Sequence, residues 1–232
     1  MNRLIMTKFK VDLKKSILEL LMIFLAISIS FFIEEWRQDN QLKNRLIEDY
    51  NGIIKDLDED IIQLEKVIKE HNDSNSKGEI LMDMLDGKKT FIYEHFIDIT
   101  RNIGSGNTFF GTTTAYDVSV SSGRLTYFGV NKISHEIGLV YGHHYDRLDD
   151  NGKLMDELYL FHSNIINRSY LGVKKTKAEI EKNKKIIFSN EYRSKLIMFL
   201  GIESSYLLKA NKALTQMKKV KKMLEEYFSN NN

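Results

Sequence analysis

Histidine and acidic side chains cluster near the middle of the chain, where they could in principle hold a metal ion. His143 and His144 stand between two tyrosines, and Asp146 follows. Successive residues of a helix diverge by about 100°, so these two imidazoles cannot share one ion unless the helix breaks there. His135 and Glu136 begin like the zinc motif HExxH, but the second histidine of that motif is missing. The pattern therefore predicts structural or surface histidines.

Two shorter patterns match the start of known ligand-binding loops without completing them. Asp56, Asp58 and Asp60 match the opening of a calcium-binding loop, but Ile61 stands where that loop requires glycine. The run fits the polar side of a helix instead. The GSG triplet at residues 104–106 lacks the lysine of a phosphate-binding loop and the third glycine of a dinucleotide site. It therefore predicts a flexible loop.

A few polar side chains could line a pocket if the middle of the chain folds back on itself. The candidates for this pocket are Tyr116, Asp117, Arg124 and His143. Their spacing does not form a catalytic triad, and only the geometry of the folded chain could bring them together. We therefore expect no enzymatic activity, no metal centre and no cofactor.

The composition excludes several classes of protein. Because the 232 residues include neither Cys nor Pro, the chain cannot hold a disulfide scaffold, a cysteine zinc site or a thiol nucleophile. The 34 basic and 32 acidic side chains leave a formal net charge of +2. A dedicated nucleic-acid-binding protein normally has a much larger basic excess, so no nucleic-acid partner is expected. The absence of proline favours long unbroken helices.

An apolar run near the start of the chain has the length of a membrane-spanning helix. The 18 residues between Lys15 and Glu34 include one charged side chain, Glu19. At ~1.5 Å per residue such a helix spans roughly 27 Å, close to the hydrocarbon thickness of a bilayer. The alternatives are a buried core helix and a cleaved signal peptide. Against cleavage, the run continues to Ile33, and Trp36 follows as an interfacial anchor.

These features predict three segments: a basic cytoplasmic leader over residues 1–15, a transmembrane helix over 16–36 and a helical extracytoplasmic domain over 37–232. Lysine and arginine set the orientation of a span, and five lie in the leader against three over a similar distance beyond the span. The bias predicts a cytoplasmic amino terminus, and in a bacterium the chain would then be an inner-membrane protein with a periplasmic domain. The residues expected at the membrane interface are Lys14, Lys15, Glu19 and Trp36.

Glu19 carries a charge in an otherwise apolar helix. Such a residue is costly in lipid and marks a functional position by default. Its place near the leader favours an interfacial position or a contact with Lys15, one turn earlier. Helix pairing and proton chemistry are the alternatives.

Two long helical stripes lie at the ends of the remaining chain. Apolar residues recur at steps of three and four and predict helices over about 38–71 and 191–228. In one interpretation the first of these helices is continuous with the span. HNDSNSKG, at residues 71–78, is expected to end the first helix. The two stripes most simply pair as an antiparallel hairpin. Short helices between about 76 and 188 would then form a head far from the membrane.

Several short helices are predicted for this head, and the fold class is all-α. The expected helices lie over about 79–85, 91–100, 114–118, 132–148, 154–170 and 174–188. Residues 101–114 predict a long loop. Asn151 and Gly152 are expected to form a turn.

Two stretches of the sequence resemble a family of uncharacterised bacterial single-pass membrane proteins, best known from Bacteroidetes-type genomes. Glu19 to Leu46, ELLMIFLAISISFFIEEWRQDNQLKNRL, resembles that family's span, which opens with Glu and closes beside Trp. Thr114 to Tyr145 is similar to its helix, Ser-Gly break and helix with paired aromatics. The family usually has Asn-Asn-Trp-Asn where residues 34–37 read Glu-Glu-Trp-Arg. The resemblance implies the topology and the helical fold and assigns no chemistry.

The sequence thus predicts a membrane-anchored helical interaction or scaffold module. Its partners would be the lipid bilayer and another protein or a second copy, because the near-heptad stripes also allow coiled-coil self-association. The alternative is an extracytoplasmic sensor or small-ligand-binding domain. A basic cluster at residues 218–222 is expected either to contact anionic lipid headgroups or to form an ordinary solvated face.

Overall fold

A single long helix, α1 (Leu13–Leu85), runs from the apolar segment through the whole first stripe. At ~1.5 Å per residue its 73 residues extend for roughly 110 Å. The computed structural model describes residues 13–103, 107–170 and 176–231, without the side chains of residues 13, 14, 161–170 and 231. The leader up to residue 12 and the GSG triplet lie outside the described residues.

The remaining elements are helical as well. They are α2 (Tyr93–Arg101), α3 (Thr114–Ser121), α4 (Arg124–Tyr127), α5 (Asn131–Leu139), α6 (Asp146–Tyr170), α7 (Lys177–Ile187) and α8 (Asn190–Asn231). A six-residue π-helical segment (Val140–Tyr145) joins α5 to α6. No strand occurs in the described part of the chain, which confirms the all-α prediction.

The two long helices pair as the predicted antiparallel hairpin. Lys218 Nζ lies 2.6 Å from Glu65, whereas Lys221 Nζ lies 2.5 Å from Asp58, so the residue numbers rise along α8 as they fall along α1. The predicted stripes face each other in the core. Their fully buried members are Tyr50, Ile53, Leu57, Leu64, Leu196, Tyr206, Ala210, Ala213, Met217, Val220 and Leu224.

The predicted end of the first helix at His71 is wrong, because HNDSNSKG continues as part of α1. Its polar side chains bond back along the helix: Asn72 Nδ2 donates to the Ile68 carbonyl at 2.9 Å, and Ser76 Oγ donates to the Asn72 carbonyl at 2.9 Å. The inner face of the segment is buried, and a Cβ added at Gly78 would lie 2.6 Å from Leu200 Cδ2. Packing against α8 therefore outweighs the turn-forming composition. The separate helix predicted over 79–85 is the end of α1.

The short helices do not all lie in a head at the distal end of the hairpin, as was expected. One cluster, at the distal end, has its own apolar core of Leu81, Met84, Phe96, Ile97, Ile99, Ile103, Ile187, Tyr192, Leu196 and Phe199. The chain then returns along the side of the hairpin, where Arg124 Nε lies 2.7 Å from Asp49. That level of α1 lies only ~20 Å beyond Trp36. We call α3, α4, α5 and the π-helical segment the flank.

Two local predictions in the middle of the chain are also corrected. Asn151 and Gly152 do not form a turn but lie inside α6. Asn151 Oδ1 accepts a hydrogen bond from Lys209 of α8, and a Cβ at Gly152 would lie 3.2 Å from Thr108. The helix predicted over 132–148 is interrupted by the π-helical segment.

Candidate functional site

The apolar part of α1 is the first candidate site, because none of it is covered by the described chain. It is the one described helix that is long and apolar enough to cross a membrane, and its apolar stretch is 0% buried. Phe31 and Phe32 are 72% and 71% exposed. The core-helix alternative is therefore wrong for this segment.

The residues predicted at the membrane interface lie at the two ends of this segment. Lys15 and Glu19 are exposed at one end, and Trp36 is 63% exposed at the other. Lys14 lies in the first turn of α1, and its side chain is outside the described part. Next to Trp36, Arg37 forms an exposed ion pair with Glu34 at 2.7 Å.

The second candidate site is the contact between α1 and the returning chain, which acidic side chains of α1 hold in place. Asp60 is 1% exposed and accepts three hydrogen bonds. They come from the Thr112 amide at 2.8 Å, the Thr112 hydroxyl at 3.1 Å and the Tyr145 hydroxyl at 2.6 Å. One turn away, Asp56 accepts from the Ala115 amide at 3.3 Å. We call this contact the seam.

The seam continues toward the apolar end of α1. Arg124 donates to both carboxylate oxygens of Asp49, with Nε and Nη2 distances of 2.7 and 2.9 Å. The Val130 amide donates to the Tyr50 hydroxyl at 3.2 Å. The aspartate run that resembles a calcium loop is thus divided, because Asp58 faces α8 on another side of the helix.

The structure brings together only part of the predicted pocket. Tyr116 stacks on Tyr141 with ring centroids 4.4 Å apart and planes at 10°. Asp117 is exposed and accepts from the Thr113 hydroxyl at 2.6 Å. Arg124 instead donates both of its side-chain hydrogen bonds to Asp49 of α1. His143 is exposed and contacts the ring of its neighbouring histidine.

The π-helical segment turns two tyrosines toward α1. Tyr141 and Tyr145 are 3% and 7% exposed, and their ring centroids lie 5.1 Å apart. Burial raises the pKa of both hydroxyls, and Asp60 raises that of Tyr145 further. The Tyr141 hydroxyl has no hydrogen-bond partner among the described residues. The two phenols are therefore held neutral, as donors or structural groups rather than bases.

The pKa of the buried Asp60 carboxyl group is also shifted. Burial raises its pKa, although the hydrogen bonds from Tyr145 and Thr112 act in the opposite direction. Nearby Asp56 adds a smaller increase. The raised value means that the buried carboxylate is harder to ionise in the folded chain than in the unfolded chain.

We expect Asp60→Asn to keep the seam intact, because an amide oxygen can accept from the Thr112 amide and Tyr145 while its NH₂ donates to the Thr112 hydroxyl. A raised carboxyl pKa gives stability at acid pH that is lost as the pH rises through the folded value. The stability of Asp60→Asn relative to the wild type should therefore increase as the pH rises above about 4. Urea unfolding in detergent between pH 3 and 7 measures this difference.

The matched variant is Asp60→Ala, which leaves the buried Tyr145 hydroxyl and Thr112 amide without an acceptor. It should lower the free energy of unfolding by about 2–3 kcal/mol at neutral pH. Equal stability of the alanine and asparagine variants would contradict the role assigned to these hydrogen bonds.

A third polar cluster, between α1 and α8, was not predicted. His71 and Glu203 are 1% and 0% exposed, with Nδ1 3.0 Å from Oε1. The other ring nitrogen faces the Asn107 carbonyl at 3.3 Å. Tyr206 packs on the imidazole and accepts from the Phe109 amide at 2.9 Å, and burial raises its pKa to about 12. Glu203 is the only charged residue between positions 196 and 208, which is the sequence signal that could have located it.

The basic cluster of α8 forms ion pairs with neighbouring helices. Lys218 and Lys221 pair with Glu65 and Asp58 of α1, and Lys219 pairs with Glu136 of α5 at 2.6 Å. Asp58 lies ~33 Å along α1 from Trp36, well beyond the ~8 Å screening length of physiological salt. The geometry favours the solvated face over lipid contact.

The described residues contain no group of three His, Asp or Glu side chains placed to hold a metal ion. Residues 18–205 match the model of a family of unknown function, DUF6090. The match covers well over half of the chain, so the chain belongs to this family. Neither the curated proteins nor the solved structures include a significant match.

Proposed function

We propose that this DUF6090 protein is a single-pass membrane protein whose helical domain acts as an interaction module beside the bilayer. The observation that carries the proposal is the complete exposure of the apolar part of α1. Thirteen large apolar side chains between Ile17 and Ile33 are exposed. At about 1.5–3 kcal/mol each, their transfer to lipid supplies on the order of 20–40 kcal/mol. The cost of placing Glu19 in lipid, about 3 kcal/mol, is small beside this gain.

The continuity of α1 supports a retained anchor over a cleaved signal peptide. The helix passes through Trp36 without a break, and its next turns carry Leu46 and Tyr50 into the domain core. The apolar segment is therefore an extension of a core element of the domain.

The orientation part of the proposal rests on charge. Five Lys and Arg residues precede the span and three follow it over a similar distance. Basic residues near a span are retained in the cytoplasm, so the amino terminus would be cytoplasmic and the domain periplasmic.

The interaction role is supported by apolar side chains that point outward from the domain. Ile62 on α1 is 70% exposed, Phe110 is 65% exposed and Leu208 on α8 is 59% exposed. Large exposed apolar groups beyond the anchor are suited to contacts with another protein.

The test combines fractionation with labelling. The full-length chain should sediment with membranes after a carbonate wash and be released by detergent. Because the chain has no native cysteine, Tyr127→Cys provides a single reporter on the domain. A membrane-impermeant maleimide should label it in cells whose outer membrane alone is permeabilised. Recovery in the aqueous fraction would refute the anchor, and labelling only after lysis would reverse the orientation.

A further inference from the structure

The outward face of α8 carries an uncharged stripe at heptad spacing. Its members, all of them exposed, are Ile197, Gly201, Ser204, Leu208, Asn211 and Thr215. We call them the α8 stripe. The steps between them alternate between four and three residues, which keeps them on one side of the helix. Ile197 is 52% exposed and Leu208 is 59% exposed. The stripe is ~27 Å long by helix rise.

The polar members of the stripe do not project charge toward a partner. Asn211 Nδ2 donates to the Leu207 carbonyl at 2.8 Å, and the Thr215 hydroxyl donates to the Asn211 carbonyl at 2.8 Å. Beyond its own helical turn, a Cβ added at Gly201 would meet no atom of the described residues within 4 Å. The surface is therefore apolar at two positions, small at its centre and neutral throughout.

A second copy of the same chain fits this surface. In a parallel two-fold pair of helices, each residue at the centre of the helix–helix interface faces the same residue of the other copy. A charged residue there would therefore meet a like charge. The α8 stripe has none. Ile197 and Leu208 supply apolar contacts, and Gly201 allows close approach of the helices. Asn211 is a polar residue of the kind that fixes the register of two paired helices when it lies in their interface.

The membrane anchor supplies the alignment that such a pair requires, so this inference rests on the proposed function. Two copies anchored in one bilayer with the same orientation hold their α8 helices parallel and at the same height. The stripe is about one helix diameter, ~10 Å, wide. The contact is therefore smaller than the 1,200–2,000 Å² of a standard stable interface, and confinement to the membrane provides the effective concentration. We propose that two copies of this chain associate through the α8 stripe, in parallel and in register.

Cysteine crosslinking in membranes tests this arrangement, because the chain has no cysteine of its own. Single variants Ile197→Cys and Leu208→Cys should each form a disulfide-linked dimer under mild oxidation. Tyr127→Cys, on the flank and 82% exposed, is the control and should remain monomeric.

Mixing the two stripe variants distinguishes the parallel from the antiparallel pair. In the parallel pair, positions 197 and 208 differ in height by ~16 Å, which is beyond the reach of a disulfide, so a mixed dimer should not form. Preferential formation of the mixed dimer would overturn the parallel register.

A glycine variant separates association from folding. Gly201→Leu places a side chain in open space within one copy but between the helices of a pair, and it should reduce the Ile197→Cys crosslink at least five-fold. Gly142→Leu, at an exposed glycine that also has open space for a Cβ, should leave the crosslink unchanged. An unchanged crosslink in Gly201→Leu, or crosslinking of the stripe only to a different protein, would overturn the proposal. The membrane anchor is tested separately by fractionation, and recovery of the chain in the aqueous fraction would refute the anchor and not the pairing.

Discussion

Replacing His71 by alanine is expected to lower the free energy of unfolding by about 3–5 kcal/mol, because it leaves both a cavity and an unpaired buried polar group. The imidazole is 1% exposed and lies 3.0 Å from Glu203, which is itself fully buried. Its second ring nitrogen faces the Asn107 carbonyl at 3.3 Å. One carboxylate oxygen of Glu203 already has no hydrogen-bond partner among the described residues. The variant would therefore leave the buried carboxyl group of Glu203 without its hydrogen-bond partner His71.

Thermal unfolding of the detergent-solubilised chain, followed by circular dichroism, measures this effect. For a chain of this size the loss corresponds to a fall in Tm of roughly 6–20 °C. His95→Ala, at an exposed histidine of α2, is the control and should leave Tm within about 2 °C.

A double variant checks that the cost arises from the pair. Because replacing both partners of a buried hydrogen bond by apolar groups of similar shape can be nearly neutral, His71→Leu with Glu203→Leu should recover most of the stability. Equal losses in the single and double variants would indicate that the pair does not account for the effect.

Gly111→Ala is expected to destabilise the domain by about 3–4 kcal/mol, combining overpacking with the loss of a charged hydrogen bond. A Cβ at this position would lie 2.0 Å from the Tyr145 ring. That ring is 7% exposed and lies against Phe109, and its hydroxyl donates to Asp60. The ring can therefore make room only by leaving its place in the seam.

Urea unfolding of Gly111→Ala beside Gly138→Ala provides the comparison. Gly138 lies in α5, where a Cβ would meet no described atom within 4 Å outside its own helical turn. Alanine there should therefore be neutral or stabilising by up to about 1 kcal/mol. In a Tyr145→Leu background the penalty at Gly111 should shrink by at least half. A full penalty in that background would show that the tyrosine ring is not the obstacle.

The hairpin could be predicted from the sequence because its stripes are long and regular. Tyr50, Leu57, Met217 and Leu224 repeat at helical spacing, and all four are fully buried in the interface between α1 and α8. Spacing of this kind depends only on which side of a helix is covered. The pairing of the two helices can therefore be predicted from the sequence.

The course of the middle of the chain could not be predicted in the same way. HNDSNSKG has the composition of a turn, but His71 and Ser74 are buried against other elements and Lys77 pairs with Asp73 at 2.6 Å. The return of the flank toward the apolar end of α1 depends on contacts such as Arg124 with Asp49, 75 residues apart. No local pattern encodes a contact over that distance.

The candidate site was recognised only in part. Tyr116 stacks on Tyr141 and Asp117 follows it, but Arg124 pairs with Asp49 of α1 and His143 is exposed, so the four side chains do not line one pocket. The role of Asp60 was hidden because an aspartate in a charged helix looks like any solvated residue. The π-helical segment was missed because Tyr141 and Tyr145, four residues apart, also fit an ordinary helix.

The unbroken course of α1 leaves no hinge between the apolar segment and the domain. The chain has no proline, and the first glycine of the helix is Gly52, already inside the folded domain. From Trp36 to Leu85 the helix extends ~74 Å, so it acts as a stiff lever. If the apolar segment spans a bilayer as we propose, the ~20° tilt that is average for membrane helices would displace the far end sideways by about 25 Å. Small changes in the tilt of that segment would then move the distal cluster of α2 and α7 across the surface of the bilayer.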